Sequence, residues 1–379
     1  MAAIAREPPR IDFVRLPTPL DSQRRNRHEK SLVAAARGRR RARARGGGTK
    51  HHRLQHRRHR RRRALAKGHA DVQTVATRRP ELREPRDHRQ GALGKLLYYD
   101  HRLSQEGTIS CDSCHVLARF GVDNLATSPG DKGQPGGRNS PTVFNAALHM
   151  AQFWDGRAKD VEQQAVMPVL NPVEMAIPSE SFLLDRLAQY PDYRELFAKA
   201  FPDDATPMSY ANIGKALAAF ERTLLTPSRF DRYLEGDRGV LDPQEKAGLR
   251  TFFDMGCTSC HNGVTIGAQS FRKFGLGESY WVHTGSKKID TGRFQTTGDE
   301  ADKYVFKVAS LRNVEKTFPY FHDGSVTTLE DAVRVMGKLQ VGMDFDDQQV
   351  ADLSAFLRTL TGTLPAEAIR PPEVLPTAD

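Results

Sequence analysis

The stretch ISCDSCHVLARFG, residues 109–121, contains the pentapeptide Cys-Asp-Ser-Cys-His, and 146 positions later the chain repeats the pattern as Cys-Thr-Ser-Cys-His at 257–261. The chain of 379 residues has four cysteines, and these two copies use all of them. Residues i, i+3 and i+4 of a helix share one face. Each copy therefore presents two thiols and one imidazole on the same side of the backbone.

Cys-x-x-Cys-His is the attachment signature of c-type haem. Two thiols on one face form thioethers with the porphyrin edge, and the histidine then reaches the iron from one side. The sequence thus predicts two covalent haem sites, one at Cys111, Cys114 and His115 and the other at Cys257, Cys260 and His261.

Three other uses of the cysteines are a shared four-cysteine zinc site, two redox pairs and structural disulfides. Zinc ribbons keep their two cysteine pairs within about 15–20 residues of each other, which is far closer than the two pairs of this chain. A redox pair does not require a histidine in each copy. The spacing and the repeated histidine favour haem.

Charge divides the chain into a basic leader and a mildly acidic body. Residues 1–90 hold 27 Lys+Arg against 8 Asp+Glu, whereas residues 91–379 hold 30 against 38. The leader lacks hydrophobic periodicity, so we expect it to be disordered. No stretch approaches 18 consecutive apolar residues, so we expect no membrane span.

The origin of the leader has three interpretations. A nucleic-acid-binding arm rests on charge alone, without interleaved aromatic residues or a known module. A targeting segment needs an apolar core, which is not visible here. The third hypothesis is a GC-rich gene translated from a wrong start or out of frame, since the composition changes abruptly near Gly91. Peptides from residues 30–80 in the mature protein would contradict this hypothesis.

The body is predicted to be mainly α-helical. Ile213, Leu217, Phe220 and Leu224 recur at helical spacing. Similar patterns predict helices over 243–256, over 327–337 with Thr328 as the cap and Gly337 as the stop, and over 346–360. The loops at 124–145 and 262–300 are long enough to be functional.

The two cysteine patterns sit at similar places relative to these loops, which predicts two related domains. The expected division is an N-terminal haem domain at 91–245 and a C-terminal haem domain at 246–361, with the tail 362–379 packing back on the first.

The sixth ligand of each haem iron determines whether that haem transfers electrons or binds a substrate. Methionine raises the reduction potential and closes the iron to substrates, whereas an open position admits a small molecule. For the haem held by His261, Met336 is the preferred candidate, and Met255 and Met343 are rivals. A buried methionine is more often a packing residue than a ligand.

Several motifs taken together resemble the bacterial di-haem cytochrome c peroxidases. The resemblance covers about residues 91–365, and the matching motifs are LGKLLYYDHRLSQEGTISCDSCH (93–115), GGRNSPTVFNAALHMAQFWDGRAKDVEQQAVMPVLNPVEM (136–175), GCTSCHNG (256–263), SLRNVEKTFPYFHDGSV (310–326) and DAVRVMG (331–337). It implies two cytochrome-c-like α domains with calcium between them. It also implies an N-terminal haem that reduces hydrogen peroxide and a C-terminal haem that receives electrons from small cytochromes or cupredoxins.

The resemblance also implies roles for single residues. His115 would hold the peroxidatic haem, whereas His261 and Met336 would ligate the electron-entry haem. Glu174 would be the catalytic carboxylate, Gln164 the distal amide and Trp154 the aromatic relay between the haems. The calcium-binding positions would be Asn139 and the carbonyls of Thr317 and Pro319.

One departure concerns regulation. Many family members have, where this chain has Asp131, a histidine that caps the peroxidatic haem until the other haem is reduced. We therefore expect an open N-terminal haem, with His149 and His101 as the remaining histidines able to substitute.

The expected function is reduction of hydrogen peroxide to water. The alternatives are a di-haem electron carrier without catalysis and a di-haem maturase, a related branch with a tyrosine as a haem ligand. Attachment of c-type haem takes place outside the cytoplasmic membrane, so a periplasmic location is expected. A homodimer is implied by the resemblance alone, and no nucleic-acid partner is expected.

Overall fold

The computed structural model describes residues 85–376, with side chains from residue 88 onward. All of them belong to one of the two units into which the chain divides, His56–Asp379. The predictions for the leader, apart from its last few residues, lie outside the described residues. The first described helix begins at Pro85, inside the segment that was assigned to the leader.

The described part of the chain is built mainly from helices, as the sequence predicts. They are α1 (Pro85–Tyr99), α2 (Cys111–Cys114), α3 (Val161–Leu170), α4 (Glu180–Ala188), α5 (Pro191–Ala200), α6 (Tyr210–Glu221), α7 (Arg229–Leu234), α8 (Pro243–Asp254), α9 (Tyr280–Thr284), α10 (Phe294–Thr297), α11 (Leu329–Met336), α12 (Asp347–Arg358) and α13 (Ala366–Ile369). Single turns of 3₁₀-helix lie at His101–Leu103, Leu117–Arg119, Ala146–Leu148, Cys257–Ser259 and Glu300–Asp302.

Within residues 85–376 the only sheet is a pair of three-residue antiparallel strands, β1 (Phe271–Lys273) and β2 (Val305–Lys307). Phe271 pairs with Lys307, which places that lysine at the end of the ladder. No helix among the described residues is long and apolar enough to cross a membrane.

Two helix pairs organise the two main hydrophobic cores, and each pair crosses at a glycine. A Cβ added to Gly94 of α1 would lie 1.9 Å from the carbonyl oxygen of Ala216 in α6. A Cβ added to Gly248 of α8 would lie 1.8 Å from the carbonyl oxygen of Asp352 in α12. Both crossings require glycine because the two backbones touch. In each pair, the first helix leads into a cysteine segment.

The predicted helices at 243–256 and 346–360 are confirmed with slightly shorter bounds, as is α6. The helix predicted with Thr328 as its cap is confirmed as α11, and Gly337 is its C-cap residue, although Gly337 keeps helical φ and ψ angles. After α11 the chain continues as a π-helix, Gly337–Val341, and Gly342 ends it at a φ of +75°. A Cβ on Gly337 would lie 2.8 Å from the Phe345 ring, so packing also requires glycine at this position.

The C-terminal tail packs against helix α1. Ala368 is buried in the first core, and the Lys95 Nζ donates to the carbonyl oxygen of Glu367 at 2.6 Å. Tyr99 Oη donates to the carbonyl oxygen of Ile369 at 3.3 Å. The domain boundaries themselves stay predictions.

A buried ion pair fixes the start of α7 to the 310–314 segment. The Arg312 guanidinium, 1% exposed as a residue, donates to both carboxylate oxygens of Asp231 at 2.8 and 2.9 Å. Its Nε donates to the Val264 carbonyl oxygen at 2.6 Å. Three segments that are distant in sequence are therefore held by one guanidinium.

Removing Arg312 leaves a buried carboxylate without its charge partner. We expect Arg312→Ala to lower the free energy of unfolding by about 3–5 kcal/mol, the usual cost of breaking a buried pair. Arg334→Ala is the control, because Arg334 pairs with Asp347 at an exposed position, and exposed pairs contribute about 0–1 kcal/mol. Urea denaturation of the holoprotein measures both, and equal losses would contradict the assignment.

Candidate active site

The first cysteine segment is held by its own capping groups and by helix α1. Ser110 and Ser113 form a reciprocal capping box around α2. Tyr98 Oη donates to the His115 carbonyl oxygen at 2.7 Å, and the Leu117 N–H donates to Asp112 Oδ1 at 2.9 Å. The turn that carries both thiols and the imidazole is therefore fixed locally.

This segment opens onto a cavity of about 1060 Å³. Most of the residues predicted for peroxide chemistry line it together: Cys111, Cys114, His115, Trp154, Gln164 and Glu174. We call it the first cavity.

The second cysteine segment follows α8 and opens onto a cavity of about 600 Å³, the second cavity. His261 is 8% exposed, and its Nδ1 lies 3.3 Å from the carbonyl oxygen of Ile266. A hydrogen bond from Nδ1 leaves Nε2 as the nitrogen with a free lone pair. Burial lowers the pKa of His261 to about 4, so the imidazole is in the neutral form that binds iron.

The structure separates the three methionine candidates. Met336 and Met255 both line the second cavity, whereas Met343 is 45% exposed and lies outside its lining. Met255 stands two residues before Cys257 on the attachment segment, whereas Met336 comes from α11. Met336 would therefore reach a bound haem from a segment separate from the attachment segment, which favours it over Met255.

The donor set of both cavities fits covalent haem better than zinc or free thiols. Burial raises the pKa of the Cys114 and Cys257 thiols to about 11. Among the described residues, no group of three or more His, Cys, Asp or Glu side chains is placed to hold a metal ion. The shared zinc site considered from the sequence is therefore not assembled.

Trp154 lines both cavities and is fixed from two sides. Its Nε1 donates to the Asn139 carbonyl oxygen at 2.9 Å. Its own carbonyl oxygen accepts from the Lys307 N–H at 2.7 Å. The indole therefore stands in the wall common to the two cavities.

The residues predicted for calcium lie around the second cavity. Asn139, Thr317 and Pro319 all line it. Asn139 Nδ2 donates to the Leu125 carbonyl oxygen at 2.9 Å, which turns its Oδ1 away from that carbonyl. These groups supply the oxygen ligands that calcium prefers, and their role stays a prediction.

Glu174 and Gln164 approach the first cavity from different elements. Gln164 lies in α3, and Glu174 lies in the turn that follows it. Burial raises the pKa of Glu174, although the charge of Arg157 and a hydrogen bond from Asn171 act in the opposite direction. A carboxyl group with a raised pKa is suited to exchange protons near neutral pH.

Asp131 lies outside the lining of both cavities. Its carboxylate accepts hydrogen bonds from the Glu106 N–H at 2.6 Å and from Thr108 Oγ1 at 2.7 Å. Partial burial opposes ionisation, but these bonds outweigh it and lower the pKa of Asp131. The Asp131 N–H donates to the Glu174 carbonyl oxygen at 2.8 Å. The loop is therefore tied to the Glu174 turn.

His101 and His149, the two histidines considered as ligands of the N-terminal haem iron, differ in their position relative to the cavities. His101 is exposed and lines neither cavity. His149 lines both cavities, and its buried Nε2 makes no hydrogen bond. His149 therefore stays the alternative to an open N-terminal iron.

Sequence reasoning missed Lys307, which lines both cavities. Its Nζ donates to the Ala151 carbonyl oxygen at 2.9 Å and lies 3.3 Å from His149 Nδ1. Burial lowers its pKa to about 7, and Asp155 offsets this only in part. A buried ammonium needs an anion, and haem carboxylates would supply one. The sequence feature that could have indicated Lys307 is its position within the apolar run YVFKVA (304–309).

A helical protein with two such cavities, each opened by a Cys-x-x-Cys-His segment, is a di-haem c-type redox protein. Residues 88–239 match the family described as di-haem cytochrome c peroxidase. The chain is 46% identical over 283 residues to a cytochrome c551 peroxidase of Nitrosomonas europaea, covering 74% of this chain and 82% of that one. A second cytochrome c551 peroxidase, from Pseudomonas aeruginosa, is 46% identical over 290 residues, with 75% and 82% covered.

Among solved structures, the chain is similar to a MauG-like protein associated with microbial copper homeostasis. The TM-score is 0.66 at 31% identity, and 80% of this chain and 95% of that chain are covered. The chain belongs to the di-haem cytochrome c peroxidase family. It is an oxidoreductase of the peroxidase class that carries c-type haem.

Proposed function

We propose that this protein reduces hydrogen peroxide to water at the first cavity, with electrons from a small cytochrome c or a cupredoxin that enter at the second. The observation that supports this most is the meeting of Glu174, Gln164 and His115 around one cavity. An electron carrier needs no such carboxyl group in its haem cavity. Steady-state oxidation of a reduced cytochrome by peroxide tests the proposal, and a protein without turnover would be an electron carrier.

Cys111 and Cys114 would hold the N-terminal haem, with His115 as its iron ligand. The C-terminal haem would be held by Cys257 and Cys260, with His261 and Met336 as its ligands. When bound, the haems supply the two electrons that peroxide requires. The protein contributes the proton path, the relay position of Trp154 and the exclusion of competing ligands.

Glu174 moves the proton in this proposal. Cleavage of the O–O bond requires that a proton pass from the oxygen that stays to the oxygen that leaves as water. The ionised carboxylate accepts that proton and returns it to the departing oxygen. The Gln164 amide, which offers both donors and an acceptor, orients the peroxide.

Replacing the carboxyl group should remove this proton transfer. We expect Glu174→Gln to lower kcat by about 10²–10⁴-fold, the usual contribution of general acid–base catalysis. The raised pKa of Glu174 implies that wild-type kcat/KM falls on the acidic side from a higher pH than an ordinary glutamate would give.

The acidic limb of the pH profile should be absent from Glu174→Gln. Glu221→Gln is the matched control, because Glu221 is also a buried carboxyl group that lines the first cavity. Full activity of Glu174→Gln, or an equal loss in both variants, would show that Glu174 has no specific role.

Methionine ligation of the C-terminal haem is tested with a set of matched variants. We expect Met336→Ala to lose the absorption band of methionine-ligated ferric haem and to lower the reduction potential of that haem. Met343→Ala should retain both properties because Met343 is exposed. Loss of the band in Met255→Ala, with retention in Met336→Ala, would move the ligand to Met255.

The N-terminal iron is proposed to be open in the fully oxidised protein. The Asp131 carboxylate is held by residues 106–108, away from the cavity, and a carboxylate so engaged is not free to cap the iron. The loop is also packed closely, because a Cβ on Gly130 would lie 2.3 Å from the Val173 carbonyl oxygen. A loop fixed in this way does not need to move before peroxide enters.

EPR of the oxidised protein measures the state of this iron. We expect a high-spin signal from the N-terminal haem and equal peroxide turnover with or without pre-reduction at one haem. A purely low-spin protein that is active only after pre-reduction would contradict an open site. If His149→Gln then restored the high-spin signal, His149 would be the ligand.

Further parts of the proposal concern surroundings and partners. Calcium would bind at Asn139, Thr317 and Pro319. If the protein contains no calcium after dialysis against a buffer with trace calcium, this site is contradicted.

A periplasmic location is tested by cell fractionation, and a homodimer is tested by sedimentation. A maturase activity is less favoured, because the sequence around Met336 resembles the peroxidase pattern, although Tyr320 also lines the second cavity. Absence of oxidised tryptophan in any partner protein would agree.

A further inference from the structure

A third hydrophobic core lies beside both cavities and consists mainly of aromatic rings. Its buried members are Phe274, Tyr280, Phe306 and Leu339, and its partly buried margin includes Trp154, Trp281, Tyr304 and Met336. One side of this cluster therefore reaches the wall shared by the two cavities. The other side reaches Trp281 and Tyr304, which are half-buried.

The rings form an unbroken series of contacts. The Trp154 and His322 ring centroids are 6.4 Å apart, and those of His322 and Tyr280 are 5.0 Å apart. Tyr280 and Trp281 follow at 5.1 Å, and Trp281 and Tyr304 at 5.1 Å. Each step is an edge-to-face or tilted contact within the range of ordinary aromatic pairs.

Tryptophan and tyrosine are the side chains of this cluster that lose an electron most readily. Tyr280 is fully buried, and its hydroxyl donates to the Asp290 carbonyl oxygen at 3.1 Å and accepts from the Asp290 N–H at 2.7 Å. Burial raises its pKa to about 12. Because the hydroxyl proton stays hydrogen-bonded to the Asp290 carbonyl oxygen, the oxidising equivalent passes through Tyr280 without resting there.

The outer pair is different because it reaches solvent. Trp281 and Tyr304 are half-buried, and the next residue, Val282, is 68% exposed. Water there accepts the proton that an oxidised indole or phenol releases. Phenylalanine would fill an apolar cluster equally well, as Phe274 and Phe306 do, so packing alone does not require these two polar rings.

We propose that Trp154, His322 and Tyr280 form a route by which an oxidising equivalent leaves the first cavity and comes to rest on Trp281 and Tyr304 when no reduced donor is present. This inference rests on the proposed reduction of peroxide. Its function is to protect the interior, because oxidation is directed to two surface side chains instead of the haem surroundings.

The reaction balances with peroxide as the only oxidant. One hydrogen peroxide accepts two electrons and two protons and gives two waters. The Trp281 indole N–H and the Tyr304 phenol O–H each lose one electron and one proton. The two resulting radicals lie in ring contact, so they either form a covalent bond to each other or are reduced by an external one-electron donor.

The test treats the fully oxidised holoprotein with a few equivalents of peroxide and no electron donor. Freeze-quench EPR should show a protein radical, and peptide mass spectrometry should locate the modification at Trp281 and Tyr304 as a cross-link with loss of two hydrogens. An excess of reduced cytochrome should abolish the modification. Modification spread over all tyrosines and tryptophans would overturn the inference.

Tyr280→Phe interrupts the route and keeps the ring. We expect it to reduce modification at Trp281 and Tyr304 severalfold, while haem bleaching by peroxide becomes faster. Tyr190→Phe is the control, since the Tyr190 ring packs under Arg102 and not on the third core. Unchanged modification in Tyr280→Phe would mean that free peroxide attacks the surface directly, which would refute the route.

Donor-dependent turnover separates this inference from the proposed function. Trp281→Phe and Tyr304→Phe should keep the wild-type kcat for peroxide with reduced cytochrome, since neither lines the first or the second cavity. Normal turnover without the localised modification would refute the route alone. A wild-type protein without turnover would refute the proposed function as well.

Discussion

The arrangement of the two cavities depends on the partly buried guanidinium of Arg138. Its Nε and one terminal nitrogen hold Asp290 at 2.6 and 3.0 Å, and the other terminal nitrogen holds Asp155 at 2.6 Å. Burial disfavours the charge of Arg138, but the two carboxylates outweigh this and raise its pKa. Asp155 follows Trp154, and Asp290 bonds Tyr280. One guanidinium therefore positions both the shared wall and the aromatic cluster, and its bidentate geometry is one that lysine cannot reproduce.

Much of the fold was predictable because its determinants are local. The cysteine segments carry their chemistry in five consecutive residues. The spacing of apolar residues alone predicts the buried faces of α6, α8 and α12. The continuation of the chain beyond Gly337 as a π-helix has the opposite cause. A glycine after a helical pattern usually marks an end, but here it makes room for the Phe345 ring, a contact that local sequence does not contain.

The same reasoning explains which site residues were missed. Gln164 and Glu174 were found from a family pattern, and the first cavity does bring them beside His115. Lys307 gave no pattern, since a lysine next to apolar residues is usually a solvent-exposed strand position. Its burial follows from pairing with Phe271 in the two-stranded sheet, a long-range contact. The aromatic route is equally non-local, because Trp154 meets His322 only in the folded chain.

Asp131 fixes its loop through both its side chain and its backbone. The side chain satisfies the N–H of Glu106 and the hydroxyl of Thr108, while its backbone N–H holds the Glu174 carbonyl oxygen. Freeing the side chain would leave these donors to water. The depressed pKa means that this clamp is present above the pKa of an unfolded aspartate and is lost as the pH falls through the folded pKa. At neutral pH the loop is therefore fixed, and the Glu174 turn is positioned before peroxide arrives.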